Sequence, residues 1–256
     1  MSAAAESMPI ATLRRIGSVT VFLWRVLAQI VPAFGKPRLI VAQIYNAGAR
    51  SLVIIMMSGL FVGMVLGLQG FELLQRFGSE DALGVAVAFG LLKELGPVVT
   101  ALLFAGRAGT SLTSEIGLMK ATDQLTAMQM MAVDPVRYVV APRFIGGFIS
   151  MPLLSAIFCG VGLLGAHLIG VSLMGVDAGA FWSQTQTAVK LEDVAEGIIK
   201  SIAFGTACSL IAVYEGYHAA PTAAGVGLAT TRTVVTCSVL VLLIDYMLTA
   251  AFLTTS

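Results

Sequence analysis

Residues Lys93–Arg143 read KELGPVVTALLFAGRAGTSLTSEIGLMKATDQLTAMQMMAVDPVRYVVAPR. The stretch opens inside an apolar run with the adjacent charges Lys93 and Glu94, and Gly96-Pro97 follows at once. Proline lacks the N–H that would bond one turn back, so a kink is expected there. The run stays apolar to Phe104 and turns polar at Arg107. Gly117–Met131 then has helical periodicity but too many polar residues to cross a bilayer. Leu118, Ala121, Leu125 and Met128 share one face, and Lys120, Asp123 and Gln124 the other. Asp134-Pro135 suits the start of the next helix, with the aspartate as cap and the proline in the first turn. The pattern is a kinked membrane helix, a short amphipathic surface helix, and a second membrane helix.

Composition agrees with a membrane chain. Of 256 residues, 57% are hydrophobic and 11% charged, whereas soluble domains carry roughly 25% charged residues. Mean hydropathy is +0.92. The net charge of +1 gives no basic field for nucleic acid. Cys159, Cys208 and Cys237 lie in apolar runs without metal-ligand spacing and read as small core residues. No linker divides the chain, so one domain is expected, an all-α integral membrane protein.

Working outward, Arg14–Val31 has Arg14, Arg15, Ser18, Arg25 and Gln29 on one stripe and Leu13, Ile16, Val19, Leu23, Leu27 and Ile30 opposite. That suits a helix lying in the interface, within residues 13–35. Five spans are expected over residues 47–74, 82–112, 136–172, 194–216 and 231–254, each near the ~20 apolar residues a crossing needs. The segments Gly175–Asp193 and Glu215–Thr231 read as loops or short turns. In the first span Gly59, Gly63 and Gly67 recur every fourth residue, the spacing of a close helix contact. Gln69 is polar enough to face a cavity.

Lysine and arginine are uneven across the loops. Arg14, Arg15, Arg25, Lys36, Arg38, Arg50, Arg107, Lys120, Arg137, Arg143 and Arg232 fall on one side, and Arg76 and Lys190 on the other. The positive-inside rule places the N-terminus and residues 115–132 in the cytoplasm and the C-terminus outside. Charges within spans pair or meet water. Lys93 and Glu94, being adjacent, point in different directions. Lys200 has Glu196 one turn earlier, and Asp245 and Arg232 belong to the last span. The lysines serve either structural ion pairs or an anionic headgroup in an outward-facing cavity. No HExxH, GxSxG or Walker motif occurs, which argues against an enzyme or a self-contained ATPase. Two classes remain: a permease driven by a separate ATPase, and an ATPase-independent channel or secondary transporter. No internal repeat favours the second, and a surface helix between spans favours the first.

The central stretch, together with SGLFVGMVLGLQG (Ser58–Gly70), TTRTVV (Thr230–Val235) and Asp245-Tyr246, resembles the MlaE/YrbE permease family from about residue 40 to the C-terminus. The resemblance implies the inner-membrane subunit of an ABC transporter moving glycerophospholipid to or from a periplasmic route that maintains outer-membrane asymmetry. Another lipid, a sterol or fatty acid, is the alternative cargo. It implies a homodimer with an N-terminal elbow helix, an MlaF-like ATPase holding ATP and Mg, an MlaB-like STAS protein and an MlaD-like MCE hexamer, with no cofactor on this chain. It also implies that Glu115, Leu118, Lys120, Asp123, Gln124, Leu125, Met128 and Met131 form the coupling helix. Lys93 and Glu94 match a charged pair beside the lipid cavity, where arginine is common in place of the lysine. Lys200 matches a second basic position near its mouth.

Overall fold

A computed structural model describes residues 17, 20–30, 32, 35 and 37–255. Among these there are helices and no strands. The helices are α1 (Thr20–Ile30), α2 (Pro37–Ala47), α3 (Leu52–Gln75), α4 (Leu83–Phe89), α5 (Gly96–Phe104), α6 (Thr110–Ala121), α7 (Gln124–Met130), α8 (Ala141–Ser172), α9 (Ala178–Ala188), α10 (Leu191–His218) and α11 (Ala223–Thr255). Five continuous helical stretches are long and apolar enough to cross a membrane: Pro37–Gln75, Glu80–Ala121, Val136–Ser172, Leu191–His218 and Ala223–Thr254. The chain is an all-α multi-pass membrane protein.

The glycine spacing of α3 finds its counterpart on α8. A Cβ at Gly59 would meet the carbonyl of Phe158, one at Gly67 the backbone of Ala166, and one at Gly63 would overlap the backbone of Gly162. From the other side, a Cβ at Gly165 would overlap the carbonyl of Leu60. Two backbones thus lie in direct contact along several turns, the arrangement small residues permit where lipid offers no hydrophobic drive between helices. Phe104, Phe158, Phe204, Ile55 and Leu91 pack around this seam. A second cluster, of Phe22, Ile116, Leu125, Phe144 and Tyr214, gathers α1, α6, α7, α8 and α10.

Several expected boundaries move. Gly175–Asp193 is not a loop: α9 lies within it, because Asp177 caps the helix by accepting the Ala180 N–H at 2.7 Å and Phe181 is buried. His167 of α8 packs on Phe181 and Trp182. Residues 215–231 are mostly helical as well, since α10 runs to His218 and α11 starts at Ala223. The third span passes unbroken through Pro152, while Pro142 sits in the first turn of α8. Asp134 does cap its helix, accepting the Val136 N–H at 2.9 Å.

The expected single surface helix over 115–132 is two pieces. Its first half is the end of α6, continuous with the second span. Asp123 then adopts a left-handed conformation (φ 56°) and α7 begins. The break rotates the periodicity, so Leu118 is exposed while Leu125 is buried and Met128 packs on the core. In α1 Phe22 and Val26 face the bundle, with Phe22 among Tyr214, Tyr217 and His218 at the end of α10. Leu23 and Ile30 flank that face and Leu27 is exposed. Leu13, Arg14, Arg15, Ile16, Ser18, Val19 and Lys36 lie outside the described residues.

Candidate functional site

Pro97 shapes the first half of the second span. It has no N–H to give the carbonyl four residues back, that of Lys93, and the turn before it widens into a π-helical segment, Gly90–Leu95. Cys159 donates its S–H to the Leu91 carbonyl at 3.5 Å, and Gly96 leaves room for that sulfur. Gly197 performs the same service on α10: a Cβ there would overlap the Leu92 carbonyl. The widened turn and the bare glycine bring Lys93 and Glu94 directly alongside Asp193, Glu196 and Lys200.

The two lysines divide the acids between them. Lys200 is 1% exposed. Its Nζ donates to Glu94 Oε2 at 2.8 Å and Thr249 Oγ1 at 2.7 Å, and forms an ion pair with Asp245 Oδ1 at 3.1 Å. Asp245 and Thr249 are one turn apart on α11, so this ammonium ties α10 to α11 and to the π turn. Lys93 pairs with Asp193 Oδ1 at 2.7 Å and Glu196 Oε2 at 3.2 Å, over the ring of Phe89. Asp193 is itself oriented by accepting the Lys190 N–H at the start of α10. A buried charge is tolerated in a membrane when it is paired, and Lys200 has two hydrogen bonds and an ion pair with Asp245.

Between these groups lies a cavity of about 100 Å³, lined by Lys93, Glu94, Glu196, Lys200, Thr249, Phe252 and Leu253. Gln69 is exposed on α3 and does not line it, and Arg232 is exposed far from it on α11. The pairing of Lys200 with Glu196, the partner one turn away, does not form; Glu196 serves Lys93. Asp193 and Thr249 join the site without a sequence motif that marks them. The signal for Thr249 was its position four residues after Asp245.

The other end of the bundle is organised around α6 and α7. Glu115 pairs with Arg143 of α8 at 3.2 Å and accepts from Ser111. Lys120 donates to the Tyr217 carbonyl at 2.9 Å. These two residues, with Leu125 and Met128, therefore face the bundle. Leu118, Asp123, Gln124 and Met131 face outward, joined by Met130, which is 81% exposed. Arg107, in a second π turn (Ala105–Gly109), donates to the Asn46 carbonyl at 2.8 Å and to Ser51 Oγ at 3.2 Å, pinning the second span to the α2–α3 corner. Thr113 donates to the Ala212 carbonyl and meets Thr233 Oγ1 at 2.9 Å, joining α6 to α10 and α11. Among the described residues no group of three or more His, Cys, Asp and Glu is gathered as metal ligands.

Comparison of the sequence with known proteins points to one family. The model of the family described as Permease MlaE matches residues 40–251. The intermembrane phospholipid transport system permease protein MlaE of Haemophilus influenzae is 54% identical over 223 residues, 84% of this chain and 85% of that one. A probable ABC transporter permease protein of Rickettsia typhi is 36% identical over 91% of this chain and 90% of its own length. Another from Synechocystis is 33% identical over 80% of this chain and 78% of its own. The matched residues run from α2 almost to the end of α11 and so include the glycine seam, both charged lysine sites and the α6–α7 surface; the chain belongs to the MlaE permease family.

Proposed function

We infer that this chain is the membrane permease subunit of an ABC transporter moving glycerophospholipid between the inner membrane and a periplasmic MCE-protein route to the outer membrane. The observation that carries this reading is the 54% identity, over most of both chains, to a permease named for intermembrane phospholipid transport. The chain has no nucleotide-binding motif, so ATP and Mg belong to a separate MlaF-like ATPase, with an MlaB-like STAS protein beside it and an MlaD-like MCE hexamer on the outer side. In this reading the N-terminus is cytoplasmic and the C-terminus periplasmic. Two copies form the core. The uncovered apolar face of α11, with Val235, Val239, Leu242 and Tyr246 exposed, is a surface that a second copy or acyl chains would cover.

The outward face of α6 and α7 is the ATPase contact. Leu118 continues rigidly into the second span, so pressure on it reaches α5 and the π turn that carries Lys93 and Glu94. Closure of two ATPase subunits would then narrow or open the outer cavity. The test is purification in mild detergent from the native host, followed by identification of co-purifying proteins and extracted lipid. An ATPase and phospholipid are expected. Substituting Leu118→Asp with Met130→Asp should abolish ATPase recovery while the permease keeps its elution position and thermal midpoint, because both side chains are exposed. A wild-type chain recovered with neither ATPase nor lipid would overturn the reading.

A further inference from the structure

The chemistry of the outer cavity selects one end of a lipid headgroup. An ammonium has three donors and no acceptor, whereas each carboxylate offers about four acceptor sites. Lys200 donates to Glu94 and Thr249, is ion-paired with Asp245 and is enclosed. Lys93 spends two on Asp193 and Glu196 and lies over Phe89. The carboxylates are far from saturated. Glu94 holds Lys200 through Oε2, while its Oε1 has only a 3.4 Å contact from Thr249. Glu196 engages Lys93 through Oε2 alone. Glu94 is 44% exposed and Glu196 26% exposed, and both line the cavity. Four carboxylates thus surround two ammonium groups. A phosphate arriving here would find cations already paired and acids beside them; like charge at such distances is repelled, and more strongly away from bulk water.

We propose that this cavity recognises the primary ammonium group of a zwitterionic phospholipid, through Glu94 and Glu196, and disfavours headgroups that lack one. This rests on the phospholipid reading above and specifies its headgroup. An incoming R–NH₃⁺ would donate to Glu94 Oε1 and Glu196 Oε1, supplying the positive charge the site is short of, with the ring of Phe252 on the remaining wall. The cavity of about 100 Å³ suits a compact ammonium. A trimethylated nitrogen is bulkier and has no N–H to give, so the preference is for a primary amine over choline.

The experiment uses the full-length chain reconstituted in nanodiscs of equal phosphatidylethanolamine, phosphatidylglycerol and phosphatidylcholine with identical acyl chains. Bilayer lipid is then washed away in mild detergent and retained lipid quantified by mass spectrometry. The expected result is retained phosphatidylethanolamine enriched about fivefold over each of the others, the scale of one partly exposed charge-assisted hydrogen bond. Glu196→Gln should reduce that enrichment and Glu94→Gln with Glu196→Gln should abolish it, at unchanged total lipid per chain. Glu196→Gln alone, which leaves Lys200 fully paired, keeps the test valid if the double variant misfolds. Retained lipid in the bath ratio, an excess of phosphatidylglycerol, or equal enrichment of phosphatidylcholine would each overturn the ammonium assignment and leave phospholipid binding intact. Absence of any retained lipid would overturn the phospholipid reading itself, and this proposal with it.

Discussion

The α3–α8 seam and the charged cluster between α5, α10 and α11 both hold spans together, by opposite means. At the seam backbone lies against backbone: Gly63 on Gly162 and Gly67 on Ala166. At the cluster the contact is made by long charged side chains, with the Lys200 ammonium bridging the second span, α10 and α11. The seam has one good arrangement, because any displacement opens a void that neither lipid nor side chain fills. The cluster is joined through flexible side chains, and such ion pairs can exchange partners without losing every contact. The contrast separates a fixed part of the molecule from one able to change shape.

Three substitutions would break or sharpen that contrast. The largest effect is expected at Gly63. Gly63→Leu forces the helices apart over their closest approach, and folded protein should not accumulate in membranes, as read by monodisperse yield. Retention of a normal thermal midpoint would mean the seam is as adaptable as the cluster. Next is Lys200→Met, which leaves Glu94 and Asp245 facing each other without a cation. A loss of about 3 kcal/mol is expected, the low end of the range for breaking a buried pair because Glu94 is partly exposed. Adding Asp245→Asn should recover part of it in detergent unfolding measurements. The smallest is Lys93→Met, where the ammonium is 31% exposed. Its pairs should be worth about 1 kcal/mol or less, and the difference from wild type should shrink further in high salt. A larger loss than for Lys200 would reverse the assignment of which lysine is structural.

Much of this was legible beforehand, for physical reasons that differ by region. The glycine period in α3 is a local signal, and the structure supplies the matching face on α8. The five crossings follow from apolar length. The second surface helix piece escaped because Asp123 reverses the backbone in mid-pattern, so a single wheel drawn through Leu118 and Leu125 joined residues that face opposite ways. Helix α9 escaped because Gly179 and five polar residues dilute its signal, and only the cap Asp177 and buried Phe181 and Thr185 mark it. In the cluster, the identities of the charged residues were readable but their pairing was not. Lys200 and Glu196 are neighbours on one helix, yet Lys200 turns to Glu94 and Asp245, 106 residues before it in the chain and on the far helix. Partner choice there depends on how closely Gly197 lets α10 approach Leu92, a fact of packing between distant segments.

The burial of all three thiols has a practical consequence. Cys159, Cys208 and Cys237 are free and at most 5% exposed, so the unmodified chain offers a nearly silent background to maleimide and nitroxide reagents. A single cysteine introduced at Leu118 or at Tyr246, both exposed, would carry a spectroscopic probe without removal of any native sulfur. With both positions labelled, the distance between the two ends of the bundle could then be followed in a chain that keeps its native core.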